Sequence, residues 1–197
     1  MTADLSENSY PSNTSHDLSK FTTKGNPKGA SPFKQISWHL VSAFIFQMPL
    51  MIPSRFKALL LRCFGGKIGL RLVIRPRVNI LRPWNLRIGD HVWIGDGCQL
   101  LNLELITIES NTALAHEVYL AAGSHDVRSR TFAYKNRPIT IKSGCWIATR
   151  AFIGPGVTVG ENSIVAAGSI VIRDVPPSAT VAGNPARIIG PRFIDRE

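Results

Sequence analysis

From Lys67 to Asp174 an aliphatic residue returns every six positions, with only three interruptions. The series runs Ile68, Ile74, Ile80, then Ile88, Ile94, Leu100, then Ile108, Leu114, Leu120, and after a gap Ile141, Ile147, Ile153, Val159, Val165, Val171. Every one of these positions is Ile, Leu or Val. Gly or Ala often follows, as at Gly95, Ala115, Gly154 and Gly160. Two positions before the repeat residue a second small or apolar side chain recurs: Val92, Cys98, Val118, Cys145, Val157 and Ser163. A period of six is neither that of a helix nor that of plain strand alternation, so it demands a repeat architecture.

The physical solution is a solenoid of short strands joined by tight corners. Alternate side chains of a strand share a face, so the repeat residue and the one two before it both point inward, and a small residue just after it relieves crowding at the bend. Three such strands close one triangular turn of a parallel β-helix. Ile68, Ile88 and Ile108 are spaced as one regular turn plus a short corner insertion, and from Ile141 the phase runs unbroken. Each turn covers its neighbour, so the core is a stack of aliphatic layers. An ordinary sandwich of alternating strands would not hold one phase over such a length.

The rest of the chain reads as appendages to about five coils. Residues 1–35, rich in Ser, Thr, Asn, Pro and Lys, are predicted to be a disordered tail. Residues 36–66 are predicted to form a helical cap over the first coil, cut into two pieces by Pro49 and Pro53. The solenoid is predicted over 67–176, with an irregular loop at 121–138, and 177–197 form a C-terminal extension. Neither helical piece has the roughly twenty apolar residues a bilayer span needs. An interfacial helix is the competing reading, because Arg55, Lys57, Arg62 and Lys67 follow the apolar run and would meet anionic lipid. Cys63, Cys98 and Cys145 have no disulfide or metal spacing, and the last two fall on inward positions, where a cysteine acts as a small hydrophobe. That pattern points to a reducing, cytoplasmic compartment. The net charge of +10 comes without a nucleic-acid motif or exposed aromatics among the basic residues, and suits a small polyanion or a membrane surface better than nucleic acid.

The run Ile153-Gly154-Pro155-Gly156-Val157-Thr158-Val159-Gly160, the phrase Ala167-Gly168-Ser169-Ile170-Val171 and the close Val181-Ala182-Gly183-Asn184-Pro185-Ala186-Arg187 resemble the hexapeptide-repeat acyltransferases with a left-handed β-helix. Leu61-Arg62-Cys63-Phe64-Gly65-Gly66-Lys67-Ile68-Gly69 and Gly123-Ser124-His125-Asp126 are most similar to the colanic-acid-biosynthesis acetyltransferase branch, related to the nodulation, maltose and galactoside O-acetyltransferases. The resemblance spans residues 38 to 190. It implies a homotrimer with active sites between subunits, acetyl-CoA as acyl donor, no metal, and a sugar or lipid-linked saccharide as acceptor.

His125 stands where the six-phase breaks, which is where a loop leaves a regular solenoid. An imidazole, with a pKa of about 6.5, accepts the proton of a hydroxyl near pH 7 as that oxygen attacks a thioester. The resemblance implies the same general-base role, without an acyl-enzyme. Glu117, Asp126 or a backbone carbonyl is expected to orient the other ring nitrogen. Asp126 and Asn102 are candidate substrate contacts, although a corner Asn that merely stabilises its turn is an equal alternative. The resemblance places the pantetheine arm near Trp146, Thr149, Gly156 and Ala167, and the nucleotide phosphates near Arg173 and Arg187, whose guanidinium groups suit phosphate oxygens. Ala148 stands where the family has Gly. Two rivals share the fold. One is a metal-dependent carbonic anhydrase using His91, His116 and His125, whose spacing does not match that family; the other is a scaffold or binding module without chemistry.

Overall fold

The computed structural model describes residues 16–23 and 29–192. Three parallel sheets form the walls of a left-handed prism. The first stacks Lys67–Ile68, Leu86–Ile88, Ile106–Ile108, Ile139–Ile141 and Thr158–Val159. The second stacks Val73–Ile74, Trp93–Ile94, Ala113–Leu114, Trp146–Ile147 and Ile164–Val165, then Ala179–Gly183 and the antiparallel Ala186–Pro191. The third stacks Asn79–Ile80, Gln99–Leu101, Tyr119–Ala121, Phe152–Ile153 and Ile170–Val171. Five coils are therefore complete, and a sixth begins at Val175, which bridges to Val159 on the first wall before Ala179–Gly183 joins the second.

The register is the six-period itself. Ile68, Ile88, Ile108, Ile141 and Val159 pair in one ladder, and the other two series pair likewise. All of the repeat residues are buried except Ile68, which packs partly buried at the end of its ladder. Each such burial contributes about 1.5–3 kcal/mol. Glycine after a repeat residue answers to the coil above it. A Cβ on Gly95 would lie 2.6 Å from the carbonyl carbon and oxygen of Ala115, closer than two coils can stack.

The open first coil would expose three sheet edges, and the cap covers them. Helix α1 (Pro32–Val41) continues as a wider turn at Ser42–Phe46, and α2 (Ser54–Cys63) follows. Ser31 caps α1 by accepting from the Lys34 N–H, and Pro32 supplies a preset first turn, so the cap begins four residues earlier than the predicted boundary at 36. Trp38 is buried between Phe46 and Phe64 and donates its indole N–H to the Ile80 carbonyl at 2.8 Å. Ser54 Oγ accepts from the Ile74 N–H at 3.0 Å. Lys57 is wholly buried and donates Nζ to the Arg75 carbonyl at 3.1 Å; burial holds its ammonium below the usual lysine range. Cys98 and Cys145 fill inward positions, and burial pushes the Cys98 thiol up to about 11 and that of Cys145 upward.

Much of the predicted tail, residues 1–15 and 24–28, lies outside the described residues. The segment 16–23 does not behave as a featureless tail: it carries a single turn at Leu18–Lys20 and rests on the loop that follows Ala121.

Candidate active site

The third coil leaves the prism after Tyr119–Ala121 and returns at Ile139–Ile141, and the intervening residues 122–138 fold back on themselves as a flap. Backbone bonds hold its stem: Arg137 N–H to Ala122 at 3.0 Å, Lys135 N–H to Ser124 at 2.8 Å and Asp126 N–H to Ala133 at 2.8 Å. His125 sits on the stem opposite Tyr134, in an antiparallel bridge.

The imidazole is gripped on several sides. Its Nδ1 lies 2.8 Å from the Phe132 carbonyl oxygen, which only accepts, so Nδ1 carries a proton and, in the neutral ring, Nε2 is the nitrogen left with a lone pair. Phe132 stacks on the ring at 4.2 Å and 7°, and Tyr134 at 4.8 Å. The ring is half-buried. Of the three candidate orienting groups, the backbone carbonyl is the one in contact. Glu117 instead accepts from Arg150 at 2.6 Å across the second corner, and that guanidinium holds its carboxyl below the usual range. Asp126 caps its own turn through the Arg128 N–H at 3.0 Å, so its side chain is engaged locally.

Asn102, a candidate substrate contact, has no exposed surface. It is fully buried in the corner insertion, with Oδ1 accepting from the Arg82 N–H at 2.9 Å and Nδ2 donating to the Arg82 carbonyl at 2.5 Å and the Asn85 carbonyl at 3.3 Å. Both ends of the amide are consumed in holding two successive coils together.

Two residues near the histidine carry no six-period signal. Phe21 packs its ring 5.7 Å from His125 and 5.4 Å from Tyr134. The segment bearing it is anchored by the Asp17 N–H to Arg130 at 2.8 Å and by His16 Nδ1 to the Ser129 carbonyl at 3.0 Å. Asn136 accepts from the Ser124 N–H at 3.1 Å through Oδ1, while its buried Nδ2 has no partner among the described residues.

The cofactor candidates divide between two edges of one chain. Gly156 and Arg173 follow the third wall, the edge from which the flap departs. Gly156 has φ +83°, and a Cβ there would lie 2.9 Å from the Arg137 side chain at the flap base. Arg173 and Arg187 share a groove of about 280 Å³ with Val171, Ile172, Val181 and Ile188. Trp146 is half-exposed on the second wall, and Thr149 and Ala167 stack at the corner beyond it, where the Gly168 N–H reaches the Thr149 carbonyl at 2.9 Å. Ala148 is buried at that corner. A larger hollow of about 530 Å³ opens along the first corner, from Lys67 to Ser143. It is lined by Lys67, Arg87, Thr107 and Glu109 among others, and lies at a different corner from the one the flap leaves.

The three histidines of the carbonic anhydrase reading occupy three different places: His91 at the first corner, His116 at the second, and His125 on the flap. His116 instead lies 3.6 Å from Asp96, which also pairs with Arg75 at 3.1 Å. Among the described residues no group of three His, Cys, Asp or Glu side chains is placed to hold a metal.

Residues 138–173 match the family described as bacterial transferase hexapeptide (six repeats). WcaF of Escherichia coli K12, provisionally named as a colanic acid biosynthesis acetyltransferase, is 41% identical over 176 residues, covering 89% of this chain and 97% of its own. This chain belongs to the hexapeptide-repeat acetyltransferases. Among solved structures, a hexapeptide-repeat acetyltransferase of Vibrio cholerae O1 biovar eltor, complexed with acetyl coenzyme A, superposes with a TM-score of 0.75 at 28% identity, covering 84% of this chain and 92% of that one. A galactoside acetyltransferase in complex with coenzyme A gives a TM-score of 0.75 at 28% identity, with 82% of each chain covered. The acetyltransferase family therefore accounts for the prism and the late-coil motifs together, and its members include a sugar-modifying enzyme by name.

Proposed function

We propose that this acetyltransferase moves an acetyl group from acetyl-CoA to a sugar hydroxyl, in the biosynthesis of a polysaccharide, with His125 as general base. The observation that carries this reading is the bond from His125 Nδ1 to the Phe132 carbonyl, because it leaves Nε2 as a positioned acceptor on the flap. Nε2 takes the hydroxyl proton as the oxygen attacks the thioester carbon. The C–S bond then breaks, and the coenzyme A thiolate leaves with the electron pair. No acyl-enzyme forms, so thiol release requires the acceptor.

Arg173 and Arg187 suit the phosphates of the donor, and the exposed backbone near Gly156, Thr149 and Ala167 suits its pantetheine arm. Because these groups occupy separate edges, a site assembled from two subunits of a homotrimer brings them to one flap. Trp93 and Trp146, both about half-exposed and in register on either side of Ala113 along the second wall, offer an apolar strip for that lateral pairing. The acceptor is a sugar carried free or on a lipid, and the enzyme works on the cytoplasmic side, with the helical cap able to touch membrane. Among the described residues no helix is long and apolar enough to cross one.

The test is coenzyme A thiol release with acetyl-CoA against a library of mono- and oligosaccharides, alongside light scattering of the same preparation. Release with one acceptor, from a particle of three chains, is the expected result. Failure of every acceptor while acetyl-CoA binds would favour the scaffold reading, and full activity in a monomer would remove the shared site.

Phe21 is expected to matter in the same reaction. Phe21→Ala removes one wall of the histidine cage and lowers kcat roughly tenfold, the scale on which small misplacements of a base are felt, with KM for acetyl-CoA unchanged. Phe21→Tyr restores the rate. Equal loss in both variants, or a change confined to thermal stability, would deny Phe21 a positioning role.

A further inference from the structure

Residues 18–89 contain thirteen of the chain's 23 Lys and Arg and none of its 13 Asp and Glu. The remainder of the chain holds ten basic residues against all 13 acidic ones, so the net charge of +10 is concentrated entirely in one stretch. Most of that stretch is the cap and the first coil, whose strands terminate all three ladders. The prism is thus electrically polar along its axis.

The same end is unusually apolar on its outside. Helix α1 and the turn after it bury Trp38 and Phe46 against the first coil, which accounts for one stripe. A second stripe points away: Phe33 is 81% exposed, Ile36 61%, Leu40 58% and Phe44 64%. Met51 at 71% and Leu59 at 53% extend it across to α2. Phe33, Ile36 and Leu40 along α1, with Phe44 in the turn after it, are three and four residues apart, the spacing of a single helical face, and a helix apolar on both faces needs a second apolar neighbour. Arg55, Arg62, Lys67 and Arg71 are exposed in the same region.

We propose that this cap is a docking face for an anionic lipid bilayer. Large apolar side chains set beside basic residues, on a stretch of chain that carries no Asp or Glu of its own, match the boundary between acyl chains and anionic headgroups; the nearest carboxylates, Asp90 and Asp96, belong to the second coil and are engaged there by the Leu70 N–H and Arg75. A second copy of the chain is a poor occupant, because two such faces would bring only positive charges together. Pairing along the walls of the prism leaves every cap at the same end, so a trimer presents three docking faces to one membrane and gains by multivalency. The C-terminal groove bearing Arg173 and Arg187 then points away from the bilayer, toward the donor in solution.

The experiment is flotation of the purified full chain with vesicles of phosphatidylethanolamine and phosphatidylglycerol, compared with vesicles of phosphatidylcholine alone. The double variant Phe33→Glu/Phe44→Glu serves as control. Both side chains are exposed, so folding and acetyl transfer to a free sugar are expected to be unchanged. The wild type is expected to float with the anionic vesicles and to be released by high salt, as screening requires. The double variant is expected to bind at least roughly 100-fold more weakly, the sum of two lost apolar insertions and two added like charges. Absence of flotation by the wild type on anionic vesicles would overturn the proposal. So would a wild-type particle that, without lipid, falls to a smaller oligomer in the double variant, since that would make the face a contact between copies. Flotation and sugar acetylation are separate readouts, so either can fail without the other.

Discussion

His125→Ala is expected to lower kcat by about 10²–10⁴-fold, the range a positioned general base supplies. Acetyl-CoA binding, measured by calorimetry, should persist, because the groove bearing Arg173 and Arg187 shares no lining residue with the groups that hold the imidazole. His125→Asn is the sharper variant, since its amide can still donate toward the Phe132 carbonyl but offers no basic nitrogen to the acceptor. It should fold with the flap intact and be nearly as slow as the alanine form. The mechanism also predicts no burst of thiol when acetyl-CoA is supplied without acceptor, because nothing on the enzyme takes the acetyl group. Retention of more than about a tenth of wild-type turnover by both variants would be incompatible with general-base catalysis at this residue.

The second large effect is on stability, at Asn102. Asn102→Ala removes a side chain whose Oδ1 and Nδ2 together satisfy the Arg82 N–H and carbonyl and the Asn85 carbonyl inside a fully buried corner. Stranding a buried partner costs about 1–3 kcal/mol, so with several partners affected a total of about 3–5 kcal/mol is expected. For a domain of this size that is a fall in Tm of roughly 10 °C. The catalytic constants of the folded fraction should change little. A variant that melts normally but shows a raised KM for the sugar would return Asn102 to the acceptor site.

How far the sequence led depended on whether a feature repeats. The six-period announces the prism because every coil imposes the same steric demand on Ile, Leu and Val at the same inward position, and the ladders follow it residue for residue. The break before Ile141 likewise marked where His125 leaves the wall. The group orienting that histidine was not legible, because a backbone carbonyl such as that of Phe132 has no sequence signature. Nor was the role of residues 16–23. His16 meets Ser129 across a separation of 113 residues, and a short polar segment with one Phe has the composition of a tail until the flap gives it somewhere to pack. Asn102 was ambiguous for a different reason. A corner Asn serves a turn or a ligand equally well, and its burial decides between them. Trp93, invisible as a motif, gains meaning only from its register with Ala113 and Trp146.

The ladders close across the flap as though it were absent: Ile106, Thr107 and Ile108 pair directly onto Ile139, Thr140 and Ile141. The flap therefore hangs from a frame that neither gains nor loses a contact when residues are inserted at its tip. Loop length adds little to the free energy of closure. Such a scaffold lets the flap be lengthened or exchanged, in evolution or by an engineer, while the coils that carry it stay as they are.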